Sequence, residues 1–551
     1  MPKPIDLRKL LAERIANGLH RKSITTCSSW AEAYRMMPSK GGATHWSFDQ
    51  FPWTRDMHNS SDELCVGQKA AQMGFTEMCL NKCFYSIDIE GQSVLYVLPT
   101  EGNANNFSSS RFDPALELSP HLQQLFSDVK NKGHKRAGGC NLFVRGSKSK
   151  SGLKSDPVGR MFFDEVDEMD QNNITLAFER MSGQVARQAW MISTPTIDGK
   201  GINAFFQDST QEHFFFKCPC CSKLTELVFP ECLVITAEDP NDKALLDTHI
   251  ICKECKGTIP HADKSQILKS GIWVPSHSDR LTRGFHVNQL YSCRLDPWKI
   301  AQLWLKAQTN QTHEQEFYNS KMGLTHAVEG AQLSEKQILS RKGGYTSQDC
   351  SPPNSFVTMG VDVGKWIHYE IDQYIFKKQG LTNDINLLAD CRVLKAGKVE
   401  HFEELDALMH RYRVASCVID HQPETRMAMN FANRFDGRVH LCIYGNGASG
   451  KTVRMHAEEE HRVTVDRTSW LDMSLGRFRA ETIKLPIDIS QEYIDHLQAP
   501  VRVYKRDQNG NPYGVYENTR DDHYAHARNY AEIALQVGAT AFGSQDVESP
   551  V

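Results

Sequence analysis

The sequence predicts an α/β protein with two large domains and a cysteine-rich element between them. A chain of 551 residues is too long for one hydrophobic core. Short apolar segments alternate with helical stretches in both halves, as in parallel sheets that are covered by helices. Two close cysteine pairs interrupt this alternation near the middle of the chain. The strands predicted for the first half are residues 64–66, 93–98, 141–144, 160–163 and 189–192.

The predicted domain boundaries follow from changes in composition. Residues 341–355 are rich in Gly, Ser, Pro and Asp, which predicts a linker. After it, two strands that meet at Gly364 and Lys365 open the second α/β domain. In chain order we expect a helical N-terminal arm at 1–45, an α/β domain at 46–212, the cysteine-rich element at 213–260, a connector at 261–340, the linker, an α/β domain at 356–537 and a tail at 538–551.

Composition narrows the class of protein. The 63 Lys and Arg residues nearly balance 67 Asp and Glu residues, giving a net charge of −4. This excludes a uniformly basic nucleic-acid coat but allows a local basic channel. The sequence contains no apolar run of 18 residues, and its first twenty residues carry charges throughout, so we expect a soluble cytosolic protein without a membrane span or signal peptide. Sixteen cysteines in such a compartment favour metal binding over disulfides.

A phosphate-binding loop is predicted at residues 69–77, KAAQMGFTE, between a strand and a helix. Free N–H groups at a helix N-terminus bind phosphate. The usual pattern G-x-x-x-x-G-K-[ST] fails because Phe75 replaces its lysine, but Lys69 can reach the β- and γ-phosphates from the start of the loop. Thr76 suits Mg²⁺. An ordinary turn before a helix explains this segment equally well. The residues that we expect to contact ATP here are Lys69, Gln72, Gly74 and Thr76.

Two further strand ends support a nucleotide site. The apolar strand MFFDE ends in Asp164, which suits a Mg²⁺-bound water, and in Glu165, which suits the base that orients the attacking water. Ser193 and Thr194 end another strand and suit γ-phosphate sensing. The carboxyl ends of parallel strands share the edge at which ligands bind. Acids that merely cap a strand remain the alternative, and the three strand ends together outweigh it.

A second segment, GNGASGKT at 445–452, matches the usual phosphate-loop pattern without a mismatch. It follows a predicted strand at 439–444. However, no apolar strand ending in Asp-Glu follows it, and the next residues lack the pattern of a helix. We therefore predict a Gly-rich basic loop that contacts DNA backbone rather than an ATP site.

The two cysteine pairs predict a structural metal site. Cys218, Cys221, Cys252 and Cys255 give the pattern C-x2-C…C-x2-C and leave Cys220 over. Four thiolates form the closed tetrahedral shell that structural Zn²⁺ prefers. Reduced structural thiols are the alternative.

Acidic residues in the second α/β domain predict a nuclease site. Asp362 lies in a strand, Asp420 ends another, and Asp521 and Asp522 precede the last helix. Acids placed on two strands and a helix form the ribonuclease H arrangement, in which paired Mg²⁺ or Mn²⁺ ions activate water. Singly, each acid is better explained by a turn or a helix cap. Jointly, Asp362, Asp420 and Asp522 favour a nuclease.

The segment 130–155 carries eight Lys and Arg residues spaced by Ser and Gly. Such spacing suits sequence-independent contact with duplex phosphates. A solvated loop explains it almost as well.

The order of these motifs resembles the large terminase subunit of tailed bacteriophages, specifically the lambda-like gpA family, over roughly residues 45–535. The segments that carry the resemblance are KAAQMGFTE, RGSKSKSGLKS, MFFDEVDEMD, ISTPT, KCPCCSKL, IICKECKGTI, SGIWV, RGFHVNQLYS, GVDVG and VIDHQPET. The resemblance implies an N-terminal P-loop (ASCE-type) ATPase, an inserted zinc ribbon and a C-terminal ribonuclease H-like nuclease. Such a protein is an ATP-driven motor that packages viral double-stranded DNA into procapsids and an endonuclease that cuts concatemers.

The implied partners are double-stranded DNA, a small terminase subunit and the portal, on which the protein forms a homo-oligomeric ring, in the host cell cytoplasm. ATP, Mg²⁺ or Mn²⁺, and Zn²⁺ are the implied cofactors. A helicase-like duplex DNA translocase without nuclease activity is the alternative. The residues that match family motifs are Lys69 and Thr76 of the displaced loop, Asp164 and Glu165 of the acid pair, Ser193 and Thr194 of the coupling motif, and Asp362 and Asp420 of the nuclease.

Some positions depart from the family pattern or leave a choice. Related enzymes often have an acid where this chain has His526, so Asp521, Asp522 or His526 completes the nuclease site, and we expect Asp522. The resemblance also suggests Arg111 as a charge-stabilising arginine among several candidates. It places adenine contacts at Gln50, Phe51 and Trp53.

Overall fold

The computed structural model describes residue 8 and residues 24–542, except 127–128, 150–152, 154–156, 329, 349–354, 378–383, 436, 446–449, 457–460 and 507–510. Residues 1–7 and 9–23 of the predicted arm and residues 543–551 of the predicted tail lie outside this set. The chain forms two compact units, Met1–His326 and Ala327–Val551. Within the described residues, none of the helices has the length and apolarity that crossing a membrane requires.

The N-terminal unit, Met1–His326, is built on a sheet whose central strands run parallel in the order β16-β3-β9-β8-β4-β7. Its strands are β1 Met36–Ser39, β2 Gly42–His45, β3 Leu64–Lys69, β4 Val94–Leu98, β5 Val129–Asn131, β6 His134–Ala137, β7 Cys140–Gly146, β8 Arg160–Asp164, β9 Gln188–Ser193, β10 Glu212–Lys217, β11 Leu224–Thr225, β12 Leu233–Val234, β13 His249–Ile251, β14 Thr258–Ile259, β15 Ile272–Pro275 and β16 Arg283–Val287. The five strands predicted for this half are confirmed as β3, β4, β7, β8 and β9.

Helices cover both faces of this sheet. Phe162 and Phe163 are consecutive residues of β8 but belong to two different hydrophobic clusters, since side chains alternate across a strand. Burial on both faces explains why these strands are continuously apolar. The helices are α1 Cys27–Tyr34, α2 Thr54–Asn59, α3 Phe75–Asp88, α4 Glu101–Phe107, α5 Asp113–Leu118, α6 Pro120–Leu125, α7 Gln171–Phe178, α8 Ile202–Gln207, α9 Lys264–Leu268, α10 Pro297–Ala307 and α11 Gln311–Glu316.

The cysteine-rich element is joined to this sheet rather than separate from it. β10 pairs with β16 in parallel and with β11 and β15 in antiparallel fashion, so the sheet continues into residues that the sequence assigns to 213–260. A small antiparallel sheet, β12-β13-β14, completes the element.

The C-terminal unit, Ala327–Val551, has a mixed sheet in the order β22-β23-β21-β20-β17-β18-β19-β24, with a separate β25-β26 hairpin. The predicted strand pair at Gly364 and Lys365 is confirmed as β17 and β18. The strands are β17 Phe356–Val363, β18 Ile367–Phe376, β19 Ala389–Val399, β20 Ser416–Asp420, β21 Val439–Tyr444, β22 Val453–Met455, β23 Arg462–Val465, β24 Ile483–Lys484, β25 Pro500–Arg506 and β26 Pro512–Asn518. The helices are α12 Glu335–Leu339, α13 Phe402–Arg411, α14 Thr425–Asn433, α15 Arg467–Arg479, α16 Gln491–Gln498 and α17 His523–Phe542.

The boundary between the units lies earlier in the chain than the predicted linker. Leu333 and Ile338, which the sequence assigns to the connector at 261–340, are buried in a cluster with Tyr374 and Leu485 of the C-terminal unit. Because these side chains pack in its core, residues 327–340 belong to the C-terminal unit. The described residues of the predicted linker, 341–348 and 355, also belong to this unit.

Candidate functional site

The segment after β3 forms a tight loop that enters α3 at Phe75. Gln72 and Gly74 have positive φ angles of 59° and 84°. At Gly74 a Cβ atom would lie 2.7 Å from the Phe51 ring, so this position requires glycine for both its conformation and its contact. The loop shape predicted from sequence is therefore held by aromatic packing as well as by its own residues.

Side chains from distant segments orient the loop backbone. Gln289 Nε2 donates to the Ala71 carbonyl at 2.8 Å, and Trp53 Nε1 donates to the Met73 carbonyl at 2.9 Å. Within the described part of the chain, the backbone N–H groups of residues 72–76 meet no acceptor. Free N–H groups at a helix start form an anion-binding site.

The phosphate loop meets the acid pair through one hydrogen bond. Thr76 Oγ1 donates to Asp164 Oδ2 at 2.9 Å across 88 residues of sequence, and Tyr96 OH donates to the same oxygen at 2.8 Å. Asp164 is buried, so two hydroxyl donors stabilise its carboxylate. Among the described residues, the Lys69 ammonium has no hydrogen-bond or ion-pair partner. This leaves it available to a phosphate.

Glu165 adopts a backbone conformation that is rare for its residue type. Its φ angle is 67°, and its N–H donates to the Ile192 carbonyl at 2.9 Å, which fixes the turn. The residue as a whole is exposed, but protein atoms surround much of its carboxyl. Surrounding protein atoms raise the pKa of Glu165 by displacing water from its carboxyl, and the Asp164 carboxylate raises it further. A raised pKa suits a general base.

Asp167 is a functional candidate that the sequence analysis missed. Its carboxylate accepts the N–H of Thr196 and of Ile202, each at 2.8 Å, and its own N–H donates to Ser193 Oγ at 3.2 Å. These bonds tie the acid turn to the segment after β9, which carries Ser193 and Thr194. Burial raises the pKa of Asp167 to about 6, although the hydrogen bonds to its carboxylate act to lower it. The acidic run DEVDEMD hid this role, because its composition also suits a solvated face.

The residues suggested for adenine lie beside the phosphate loop. Arg294 Nε donates to Gln50 Oε1 at 3.0 Å, and its guanidinium lies 5.6 Å from the Phe51 ring centre. Trp53 is fully buried and uses its indole N–H on the loop. The indole therefore supports the loop rather than offering an open face to a base.

Arg111 lies near the start of α3 in an ion-pair group. Its Nη1 is 3.4 Å from Glu77 Oε1, and Glu77 also pairs with the buried Arg35 at 3.0 Å. Glu77 directly follows Thr76. Arg111 is thus close to the phosphate loop and engaged with a carboxylate there.

The four predicted cysteines come together in two matching turns. Their Sγ atoms lie within 4.8 Å of one another, so the cluster could hold a metal ion. Backbone N–H groups of Cys220 and Glu254 donate to the sulfurs of Cys218 and Cys252 at 3.3 Å. Such donors stabilise thiolates, the form that binds metal. The residues of this candidate metal centre are Cys218, Cys221, Cys252 and Cys255.

Two of the predicted nuclease acids lie at neighbouring strand ends. β17 and β20 pair in parallel with Val361 opposite Ile419, which places Asp362 and Asp420 side by side at the next position. Burial raises the pKa of Asp420 to about 6, and repulsion from Asp362 adds to this effect. Two carboxylates that share a site in this way are typical of a cation-binding centre.

Helix α17 crosses β17 at Gly360. A Cβ atom there would lie 2.0 Å from the Ala527 carbonyl oxygen and 2.1 Å from the Ala531 nitrogen. Direct backbone contact brings the start of the helix to the acids. There, His523 Nδ1 donates to Asp362 Oδ2 at 2.8 Å, and the rings of His523 and His368 stack with centres 4.6 Å apart.

Asp522, the expected third acid, has other partners. Its Oδ2 lies 3.2 Å from His526 Nε2 and 3.8 Å from Arg467 Nη2. Burial opposes ionisation, but His526 and Arg467 outweigh it and lower the pKa of Asp522. Asp521 is exposed. The structure therefore places His523, rather than Asp522, against Asp362; the sequence offered no signal for this histidine beyond its position beside the acids.

Two segments predicted from sequence to contact DNA, 445–452 and 130–155, are only partly described by the structure. In the 445–452 segment, 446–449 lie outside the described residues, and the strand β22 follows where a phosphate loop would open a helix. In the basic segment, Lys135 is buried and pairs with Asp113 at 2.7 Å, so it supports the fold rather than facing a duplex. Lys150 and Lys154 lie outside the described residues.

Comparison with known proteins matches two family models. "Phage terminase large subunit gpA, ATPase domain" covers residues 41–273, and "Terminase large subunit gpA, endonuclease domain" covers residues 282–543. The chain is 22% identical over 384 residues to the terminase large subunit of Escherichia phage lambda, covering 63% of this chain and 59% of that protein. It is 22% identical over 381 residues to the terminase large subunit of Enterobacteria phage P21, covering 61% and 59%.

The matched region thus spans about three fifths of the length of these curated relatives. Among solved structures, the crystal structure of the HK97 bacteriophage large terminase aligns with a TM-score of 0.47 at 10% identity, covering 93% of this chain and 99% of that one.

Proposed function

Because this chain belongs to the gpA family of phage terminase large subunits, we propose that it is an ATP-driven motor that packages viral double-stranded DNA into procapsids. We propose further that it is a metal-dependent endonuclease that cuts concatemeric DNA. One observation carries the motor assignment: the Thr76–Asp164 hydrogen bond joins the phosphate loop to the acid pair. For the nuclease, the supporting observation is that Asp362 and Asp420 lie together in the other compact unit.

In the proposed motor, each group has a chemical role. The free N–H groups of the loop and the Lys69 ammonium bind the β- and γ-phosphates. Thr76 and Asp164 would hold Mg²⁺, which would neutralise phosphate charge. Glu165 orients the attacking water, and Ser193 and Thr194 sense the γ-phosphate. Gln72 and Gly74 supply loop conformation and N–H groups.

In the proposed nuclease, Asp362 and Asp420, with Asp522 as the third acid expected from sequence, would hold divalent cations, which would supply activation of water and stabilisation of the leaving oxygen. The four-cysteine cluster is proposed to hold structural Zn²⁺, since its donors are thiolates only and close the shell. DNA, a small terminase subunit and a portal, on which the protein forms a ring in the host cytoplasm, are the proposed partners. The domain limits predicted from sequence are retained as proposals, apart from the shift of residues 327–340.

Paired variants of the full chain test both activities. Glu165→Gln should lower ATP hydrolysis at least ~10²-fold, because it removes the base, and should leave DNA cutting unchanged. Asp362→Asn should abolish cutting and leave ATP hydrolysis unchanged. Lys69→Ala should lose ATP hydrolysis, whereas Lys451→Ala, in the second loop pattern, serves as the control that keeps it.

Loss of both activities in either folded variant would contradict two separable sites. ATP hydrolysis without any metal-dependent cutting by the wild-type protein would instead support the helicase-like translocase.

A further inference from the structure

We propose that Asp362, His523 and His368 form a cation site with nitrogen ligands that selects first-row transition metals, Mn²⁺ among them, over Mg²⁺. The purpose of the site rests on the proposed nuclease function, whereas the binding itself is measurable without cutting. The sequence pointed only to carboxylates here. Imidazole ligands change which ion the site prefers.

The separations between the candidate ligand atoms suit one ion. One ligand atom from each residue, a carboxylate oxygen of Asp362 and a ring nitrogen of His368 and of His523, lies within 4.8 Å of the other two. Asp362 Oδ2 and His523 Nδ1 are 2.8 Å apart. Two ligands at right angles on an ion, each at about 2.1 Å, are separated by about 3.0 Å. The pair is therefore already spaced as neighbouring ligands.

His368 adds a nitrogen that has no other task. It is the cross-strand neighbour of Asp362, only 3% of it is exposed, and its Nδ1 has no hydrogen-bond partner among the described residues. A buried polar atom without a partner costs stability, and a cation would satisfy it. The His368 and His523 rings are almost parallel, at 8°, so one must turn to face a shared ion. His523 is half-buried at the first position of α17, which leaves its ring room to do so.

The neighbouring histidines are committed elsewhere. His526 has Tyr444 OH 3.0 Å from Nδ1 and Arg467 Nη2 3.3 Å from Nε2. His496 Nδ1 accepts the Tyr524 N–H.

The donor set decides the ion. Mg²⁺ prefers an octahedral shell of oxygen atoms and keeps several of its waters, whereas imidazole nitrogen suits first-row transition metals, among which Mn²⁺ is the weakest binder. Two imidazoles and one carboxylate are therefore better matched to a transition metal. Mn²⁺ is the probe of choice because it is paramagnetic.

Pulsed electron paramagnetic resonance of Mn²⁺ bound to the untagged full chain tests the site. Wild-type protein should show ¹⁴N modulation from coordinated imidazole, and a 100-fold excess of Mg²⁺ should not displace the ion. His523→Gln should remove most of the modulation and weaken Mn²⁺ binding at least ~10-fold. His368→Gln by itself should also weaken the ¹⁴N modulation relative to that of the wild-type protein.

His440→Gln is the matched control. His440 is also a buried histidine of the same unit, and its Nδ1 also lacks a hydrogen-bond partner among the described residues, but it is not part of the Asp362 cluster. This variant should keep the full nitrogen signal. Because His368→Gln alters the core, its melting temperature is compared with that of the control.

The outcomes separate this inference from the proposed function. Metal-dependent cutting without ¹⁴N modulation, or modulation unchanged in both His523→Gln and His368→Gln, would overturn the nitrogen site and leave the nuclease standing. Modulation that both variants remove, in a protein that does not cut DNA, would support the site and overturn the nuclease.

Discussion

Gly360→Ala is the change that most directly tests how the proposed nuclease site is assembled. Its added Cβ atom would meet the α17 backbone at 2.0 Å and 2.1 Å, at Ala527 and Ala531. Neither contact is with a flexible side chain, so β17 and α17 must separate. Reaching ordinary contact at about 3.4 Å requires a shift of roughly 1.4 Å.

The size of that shift sets the expected effect. Overpacking of a core costs about 1–3 kcal/mol of unfolding free energy. Because the new Cβ atom meets backbone atoms at both Ala527 and Ala531, we expect Gly360→Ala to cost ~3 kcal/mol. Active-site groups must hold position within about 0.5 Å, so moving His523 and Asp522 by more than this should slow cutting at least ~10²-fold. ATP hydrolysis should be unchanged, because its residues lie in the other compact unit.

The assay compares cutting, ATP hydrolysis and unfolding free energy with those of Gly476→Ala. Gly476 lies inside α15, where an added Cβ atom meets nothing within 4 Å. There alanine should stabilise the protein by about 0.5–1 kcal/mol through helix propensity. If Gly360→Ala cuts DNA and resists unfolding as well as the wild-type protein does, the contact between α17 and β17 does not position the site.

Two further predictions concern the N-terminal unit. Gly323→Ala should lower kcat/KM for ATP by about 10–100-fold in a steady-state assay, because its Cβ atom would lie 2.6 Å from the Ala70 nitrogen of the phosphate loop. Gly330→Ala is the control, because Gly330 has a similar positive φ but an added Cβ atom there meets nothing within 4 Å. If both variants lose the same kcat/KM for ATP, backbone strain rather than contact with the phosphate loop explains the loss. Cys255→Ser should remove the zinc found by metal analysis of the purified protein, since three thiolates bind more weakly than four. Cys220→Ser, an adjacent exposed thiol outside the cluster, should keep one zinc per chain, and zinc retained by Cys255→Ser would count against the site.

The sequence predicted the strands of the N-terminal sheet because residues buried on both faces must be apolar. It also predicted that Thr76 and Asp164 meet, since parallel strands end at a common edge. The four cysteines were predictable for a similar reason, as their spacing fits one tetrahedral shell. These are properties of local pattern and of sheet topology.

Pattern could not assign the residues at the start of α17. Asp521 and Asp522 precede α17, whereas His523 and His526 lie on its first turn, so the local pattern does not say which of the four reaches Asp362. Which of them meets Asp362 depends on how the helix is rotated against β17, and that rotation is set by the close contact at Gly360. Likewise, only the fold shows that a strand follows the pattern at 445–452 and that Lys135 is buried.

By itself, therefore, the sequence determined the family, the order of the chemical groups and the edges at which they gather. The tertiary structure decided which side chains share those edges: His523 and His368 with Asp362, Asp522 with His526 and Arg467, and Asp167 with the segment after β9. The physical reason is that composition and spacing encode burial and direction along one element. The rotation and separation of packed elements come from contacts between residues far apart in the chain.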